Sequence, residues 1–189
     1  MKKLSVLSFL VLFSALISGA KEKILLDYTE DGIRTVQTDF TKSDYLFYAV
    51  RANKSNADVS WAIVLRMTTF DVPITGVEKG APLLIRLGND EVLELNCAAK
   101  ASDDVGEAAS YNWRYDIYPT FYISKTDLDK IAQYGIKKVR IQLIDKDEMQ
   151  SEWNFTKQKD IDKISRNFMD KIEVVEALIS KSNDIREDF

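Results

Sequence analysis

The sequence predicts an α+β fold: a mostly antiparallel, twisted sheet, as a sandwich or partial barrel, with a short helix near 125–134 and a long C-terminal helix near 157–181. Three observations predict it. Segments with a two-residue alternation of apolar and polar side chains follow one another across tight polar turns, which favours antiparallel neighbours. A capping pattern at Ser124 opens a short helical run. From Ile161 to Ile179, apolar residues recur three and four apart, the stripe of an amphipathic helix.

The elements follow in chain order. Lys2 and Lys3, an apolar run from Leu4 to Ile17 and the small residues Ser18-Gly19-Ala20 have the three-part order of a secretory signal peptide. The apolar run is shorter than the roughly 20 residues of a membrane span. Residues 1–20 are therefore expected to be a signal peptide and 21–189 a single globular domain. That domain is expected to be periplasmic or secreted and not membrane-spanning after cleavage.

Ile24-Leu25-Leu26 and Ile33 to Val36 read as a hairpin turning at Glu30-Asp31-Gly32. Tyr45 to Ala52 is apolar on both faces, with Tyr45 and Phe47 on one and Leu46, Tyr48 and Val50 on the other, as in a central strand covered on both sides. A polar turn over 53–58 leads into the strand Val59 to Phe70, and 71–82 reads as a loop with two prolines and two glycines. Leu83 to Leu87 and Glu91 to Cys97 form a hairpin around Gly88-Asn89-Asp90. Its leucines and Cys97 share an inner face, while Arg86 and Glu94 lie on the outer one, placed for a cross-strand charge pair.

After an acidic loop from Lys100 to Ser110, the run Tyr111 to Tyr118 alternates aromatic and polar residues; Pro119 interrupts it and Phe121 to Ile123 resumes it. Ser124 and Asp127 cap a helix with Leu128, Ile131 and Ala132 on its buried side, and Gly135 ends it. A half-buried strand follows over Val139, Ile141 and Leu143.

Composition narrows the chemistry. The chain has no histidine and one cysteine, so it can assemble no Ser-His-Asp triad, no Cys-His pair, no histidine zinc site and no internal disulfide. The two leader lysines leave 24 basic and 30 acidic groups, a net charge of −6, which offers nucleic acid no attraction. Asp103, Asp104 and Glu107, and Asp145, Asp147 and Glu148, lack calcium-loop spacing and read as solvated turns. No catalytic residue, metal ligand or cofactor is expected.

Three segments carry a resemblance: Leu83 to Leu95, Tyr122-Ile123-Ser124 with Leu128, and Gly135 to Ile141. They resemble small uncharacterised exported proteins of gut Gram-negative anaerobes, a domain of unknown function. The resemblance spans residues 83–144, about a third of the chain. It implies export and no activity.

The functional expectation is a binding or accessory module of the cell envelope whose partner is a glycan, a peptide or an envelope protein. The candidate ligand-binding residues are Tyr111, Trp113, Arg114, Tyr115, Asp116 and Tyr118, because aromatic faces beside polar groups can stack on sugar rings and bond their hydroxyls. The ordinary reading of such alternation is a strand with one face in the core. A carboxylate-dependent hydrolase and a structural or assembly partner stand as alternatives.

Overall fold

The computed structural model describes residues 23–70, 76–102, 104–105, 114–144 and 151–180. The expected signal peptide, Tyr111, Trp113 and the acidic cluster Asp145, Asp147 and Glu148 lie outside them.

The fold is α+β and antiparallel throughout. Its strands are β1 (Ile24–Glu30), β2 (Ile33–Thr38), β3 (Thr41–Ser43), β4 (Leu46–Ser55), β5 (Asp58–Phe70), β6 (Pro82–Leu87), β7 (Val92–Asn96), β8 (Asp104–Val105), β9 (Arg114–Ile117), β10 (Thr120–Ile123), β11 (Ile136–Ile141) and β12 (Ser151–Asn154). The helices are α1 (Lys125–Tyr134) and α2 (Gln158–Ile179). The larger sheet runs β1-β2-β4-β5-β9-β8, with β10 also on β5 and β3 on β4; the smaller runs β12-β11-β6-β7.

Tight turns set these registers. Asp31 and Gly32 take positive φ between β1 and β2, Asp44 and Tyr45 between β3 and β4, and Asn56 between β4 and β5. Two-residue hairpin turns of this hand match the twist of the strands they join. The turn expected over 53–58 is tighter than the sequence indicates: both strands continue until only Asn56 and Ala57 are left. β3, β8 and β12 have no counterpart in the sequence reading.

Pro119 breaks the expected strand less than its chemistry suggests. Thr120 lies opposite Val64 and Ile117 opposite Met67, one unbroken register. The Leu65 amide still donates to the Pro119 carbonyl at 3.0 Å, so only the missing proline N–H interrupts the ladder. β9 and β10 are two halves of one strand laid along β5.

A seam joins the two sheets. Cys97 bridges to Phe121, and the Ala98 amide donates to the Thr120 carbonyl at 2.8 Å. The inner faces of both sheets meet the helices. From the larger come Val36, Tyr48, Val50, Trp61, Ile63 and Phe121; from the smaller Leu83, Ile85, Leu87, Leu95 and Val139, all buried. α2 buries Ile161, Ile164, Phe168, Ile172, Val175 and Ile179 against these inner faces, as its spacing predicts. The Phe168 ring stacks on Tyr48 at 4.7 Å, and Asn167 Nδ2 donates to the Tyr48 hydroxyl at 3.2 Å. On the same stripe Lys171 is wholly buried, and its ammonium donates to the Asp39 carbonyl at 2.8 Å and to Thr38 Oγ1 at 3.3 Å.

α1 opens as expected. The Asp127 amide donates to Ser124 Oγ at 3.0 Å, and Ser124 Oγ donates to Asp127 Oδ2 at 2.8 Å. Gly135 closes it at φ 66°, with its amide donating to the Ile131 carbonyl. A Cβ there would stand 2.3 Å from the Ile161 carbonyl oxygen, where the start of α2 crosses.

The charge pair expected between Arg86 and Glu94 is not set by the register: Arg86 lies opposite Val92 and Glu94 opposite Leu84. The charge mesh of the smaller sheet instead centres on Glu152 of β12. Lys138 Nζ and Arg140 Nη2 each approach its carboxylate at 2.7 Å, and Asn154 Nδ2 donates to it at 3.0 Å.

Gly135→Ala adds left-handed backbone strain and a clash with Ile161, and is expected to lower unfolding free energy by about 2–4 kcal/mol in urea denaturation. Glu152, held by Lys138, Asn154 and Arg140, has its pKa lowered to about 2. A lowered carboxylate contributes stability above its unfolded pKa and loses it as pH falls through the folded one. Glu152→Gln is therefore expected to flatten the decline in melting temperature between about pH 4.5 and pH 2 while leaving its shape near neutrality unchanged.

Candidate functional site

Residues paired across neighbouring strands share a face of the sheet. On the larger sheet this defines an outer face that no helix covers among the described residues. One row runs Tyr122, Ala62, Arg51, Gln37 and Leu26 across β10, β5, β4, β2 and β1. A row beside it carries Ser60, Asn53, Thr35 and Tyr28. Toward the other end, Arg66, Phe47 and Lys42 lie opposite one another, and the unbroken β9–β10 register puts Tyr118 beside Arg66.

The floor of this face is small: Ala49, Ala62 and Val64 are buried although no helix lies over them. Large side chains from neighbouring positions provide the cover and remain partly in solvent. Tyr122 is 57% exposed, Tyr28 47% and Tyr118 40%. Tyr118 packs on Phe40 with ring centroids 5.8 Å apart. Phe47 lies under two cations, Lys42 at 5.5 Å and Arg66 at 5.8 Å, and Lys42 also stands 4.7 Å over the Tyr45 ring.

Tyr45 is unusual on two counts. Its φ is 68°, which a bulky side chain rarely adopts, and its side chain is 75% exposed. Neither local backbone preference nor core packing accounts for a tyrosine there.

The electrostatics of the face differ from one arginine to the next. Arg66 and Thr68 both donate to the Asp116 carboxylate, Arg66 through Nη2 at 3.3 Å. Arg34, which pairs with Asp27 at 3.2 Å, stands on the other face of the sheet, in phase with Val36. Arg51 has a neutral partner: its Nε donates to Gln37 Oε1 at 2.8 Å. Burial pulls the Arg51 guanidinium below its ordinary pKa, against the opposing pull of Tyr28 and Tyr122. A cleft of about 320 Å³ opens here, lined by Tyr28, Glu30, Asp31, Ile33, Thr35, Arg51 and Asn53.

The candidate residues divide accordingly. Tyr118 lies on the exposed face. Asp116 is buried, and Arg66 and Thr68 occupy its carboxylate, so it acts as an internal counter-ion. Arg114 and Tyr115 lie in β9 opposite Phe70 and Thr69, with their side chains outside the described residues. Tyr28, Tyr45, Phe47, Arg51 and Tyr122 join the face without having been singled out. A signal for Arg51 was present, since it continues the two-residue phase of Tyr45 and Phe47 and so marks their side of β4 as the solvent side.

Other chemistry finds less support among the described residues. No group of three or more histidine, cysteine, aspartate or glutamate side chains could hold a metal ion. Burial pushes the Cys97 thiol up, away from the thiolate that reacts. Asp90, Asp127 and Glu152 are all displaced downward by lysines and hydrogen bonds, the opposite direction from a general acid. No helix is long and apolar enough to cross a membrane.

A left-handed tyrosine carries backbone strain of about 1–2 kcal/mol, part of which the Lys42 contact offsets. Tyr45→Gly is accordingly expected to melt at or above the wild-type temperature in calorimetry, although it removes a large side chain. A clear loss of stability would mean that Tyr45 is held there for packing.

No family model, no curated protein and no solved structure matches the chain.

Proposed function

We propose that the protein is an exported binding module of the cell envelope that lays an extended ligand across the outer face of its larger sheet. The observation that carries this reading is the face itself. Tyr28, Tyr118 and Tyr122 stand partly in solvent around Arg51 and Arg66, above a floor of Ala49, Ala62 and Val64. Flat rings over a small-residue floor suit a ligand with alternating apolar and polar edges, and cations among them add orientation. Tyr28 and Tyr122 are four interstrand spacings apart, about 19 Å along the sheet, which suits a chain rather than a single small molecule.

Placement in the periplasm or outside the cell rests on the leader-like first twenty residues and on the resemblance to exported proteins. Binding without catalysis fits the absence of histidine and the downward displacement of Asp90, Asp127 and Glu152.

The test is a thermal-shift screen of the protein against envelope and extracellular glycans, peptidoglycan fragments and peptides. A ligand at about 100 times its dissociation constant adds roughly 2.7 kcal/mol to stability. Tyr122→Ala and Tyr28→Ala are expected to abolish the shift while each melts within a few degrees of wild type, because both rings are largely solvated. An undiminished shift in the double variant would remove the ligand from this face.

A further inference from the structure

Arg51 stands apart from the other half-buried arginines among the described residues. Arg34 and Arg66 each have a carboxylate within 3.3 Å, from Asp27 and Asp116. Among the described residues, Arg51 has none within ion-pair distance. Glu30 and Asp31 line the same cleft from the β1–β2 turn, yet the one side-chain acceptor Arg51 reaches is the neutral Gln37 amide. Removing a cation from water without a counter-ion is costly, and Gln37 only partly repays it. The bond to Gln37 uses Nε, which leaves the Nη1 and Nη2 groups, a fork shaped for two oxygens of one carboxylate.

The surroundings of the fork are those of a sugar site. Thr35 Oγ1 donates to Asn53 Oδ1 at 3.0 Å, which turns the Asn53 amide so that its NH2 is left for a ligand oxygen. Tyr28 lines the same cleft, and Tyr122 ends the row that Arg51 occupies. A peptide added as a further strand would need free main-chain partners. The backbone groups of β2, β4 and β5 are committed to ladders on both sides, so this face offers side chains only.

We propose that the Arg51 cleft is a carboxylate subsite and that the ligand is an acidic glycan, a chain carrying uronic-acid sugars. The Arg51 fork holds the sugar carboxylate, Asn53 bonds a neighbouring hydroxyl, and Tyr28 and Tyr122 stack on rings to either side. This inference rests on the sheet-face reading and deepens it. The protein is acidic overall, so the cation serves local recognition rather than long-range steering.

The experiment is calorimetric titration with oligogalacturonate, oligoalginate and hyaluronan fragments, each beside its carboxyl-reduced neutral counterpart. Wild type is expected to bind at least one acidic chain about tenfold or more tightly than its reduced form. Arg51→Gln is expected to erase that preference while retaining the weaker binding of the reduced sugar, and Arg51→Lys to restore only part of it. Gln37→Glu adds a second check that leaves every ring in place. It puts a carboxylate where Arg51 already bonds, so the fold persists and the acidic sugar is displaced from the fork.

Equal binding of acidic and reduced sugars, lost in Tyr28→Ala and Tyr122→Ala but not in Arg51→Gln, would overturn the carboxylate subsite and leave the sheet-face reading standing. Acidic-chain binding that survives the tyrosine variants would overturn both. No binding by any of the acidic chains, or Arg51-dependent binding of oligoglutamate alone, would overturn the glycan assignment.

Discussion

One constraint shapes the molecule: among the described residues, a broad antiparallel sheet has a single long helix with which to cover it. α2 covers the inner face, where Phe168 stacks on Tyr48 and the stripe from Ile161 to Ile179 is buried against both sheets. Among the described residues no second helix of that length lies on the outer face of the larger sheet. Its central strands nevertheless cannot present a bare apolar surface, since large exposed patches invite association. The sequence meets this with alanine and valine at the central outer positions and long amphipathic side chains next to them. Arg51, Phe47, Tyr118 and Tyr122 stand on the same face beside Ala49, Ala62 and Val64, and the two tyrosines remain partly in solvent. The proposed binding surface is thus also the cover of the uncovered face.

The inner architecture was legible because burial writes a strong periodic signal. The two hairpins, the Ser124 cap, the Gly135 stop and the α2 stripe were each readable from spacing, and each stands where it was expected. The short strands were not legible for a physical reason. β3 has three residues, β8 two, and β12 pairs with β11 through a charge mesh around Glu152, so none presents an apolar alternation long enough to detect. The Arg86–Glu94 pair failed for a related reason: alternation assigns a face, whereas register decides which residues stand opposite, and the Gly88–Glu91 connection sets that register.

The outer face was legible only in part. The run ending at Tyr118 is visible because its aromatics alternate within one short segment, yet the face gathers residues from six strands, and Tyr28 and Tyr122 are distant in the chain. Sequence alternation cannot show that Tyr122, Arg51 and Gln37 share one row. It also could not tell the roles of Asp116 and Arg51 apart, because both are charges within alternating strands. Register distinguishes them by putting Arg66 and Thr68 beside the first and Gln37 beside the second.

That difference bears on why Arg51 is an arginine at all. The same sheet neutralises Arg66 with Asp116 and Arg34 with Asp27, so the fold has the means to pair a half-buried guanidinium. At position 37 a glutamate would reach Arg51 with the geometry the glutamine already has, and a methionine at position 51 would cover Ala62 without desolvating a charge. Either would relieve the cost of burial. Stability alone therefore selects neither the arginine nor its neutral partner. A ligand carboxylate in the cleft accounts for both, because it needs the guanidinium to be partly dehydrated, fixed at Nε and uncommitted at its two Nη groups.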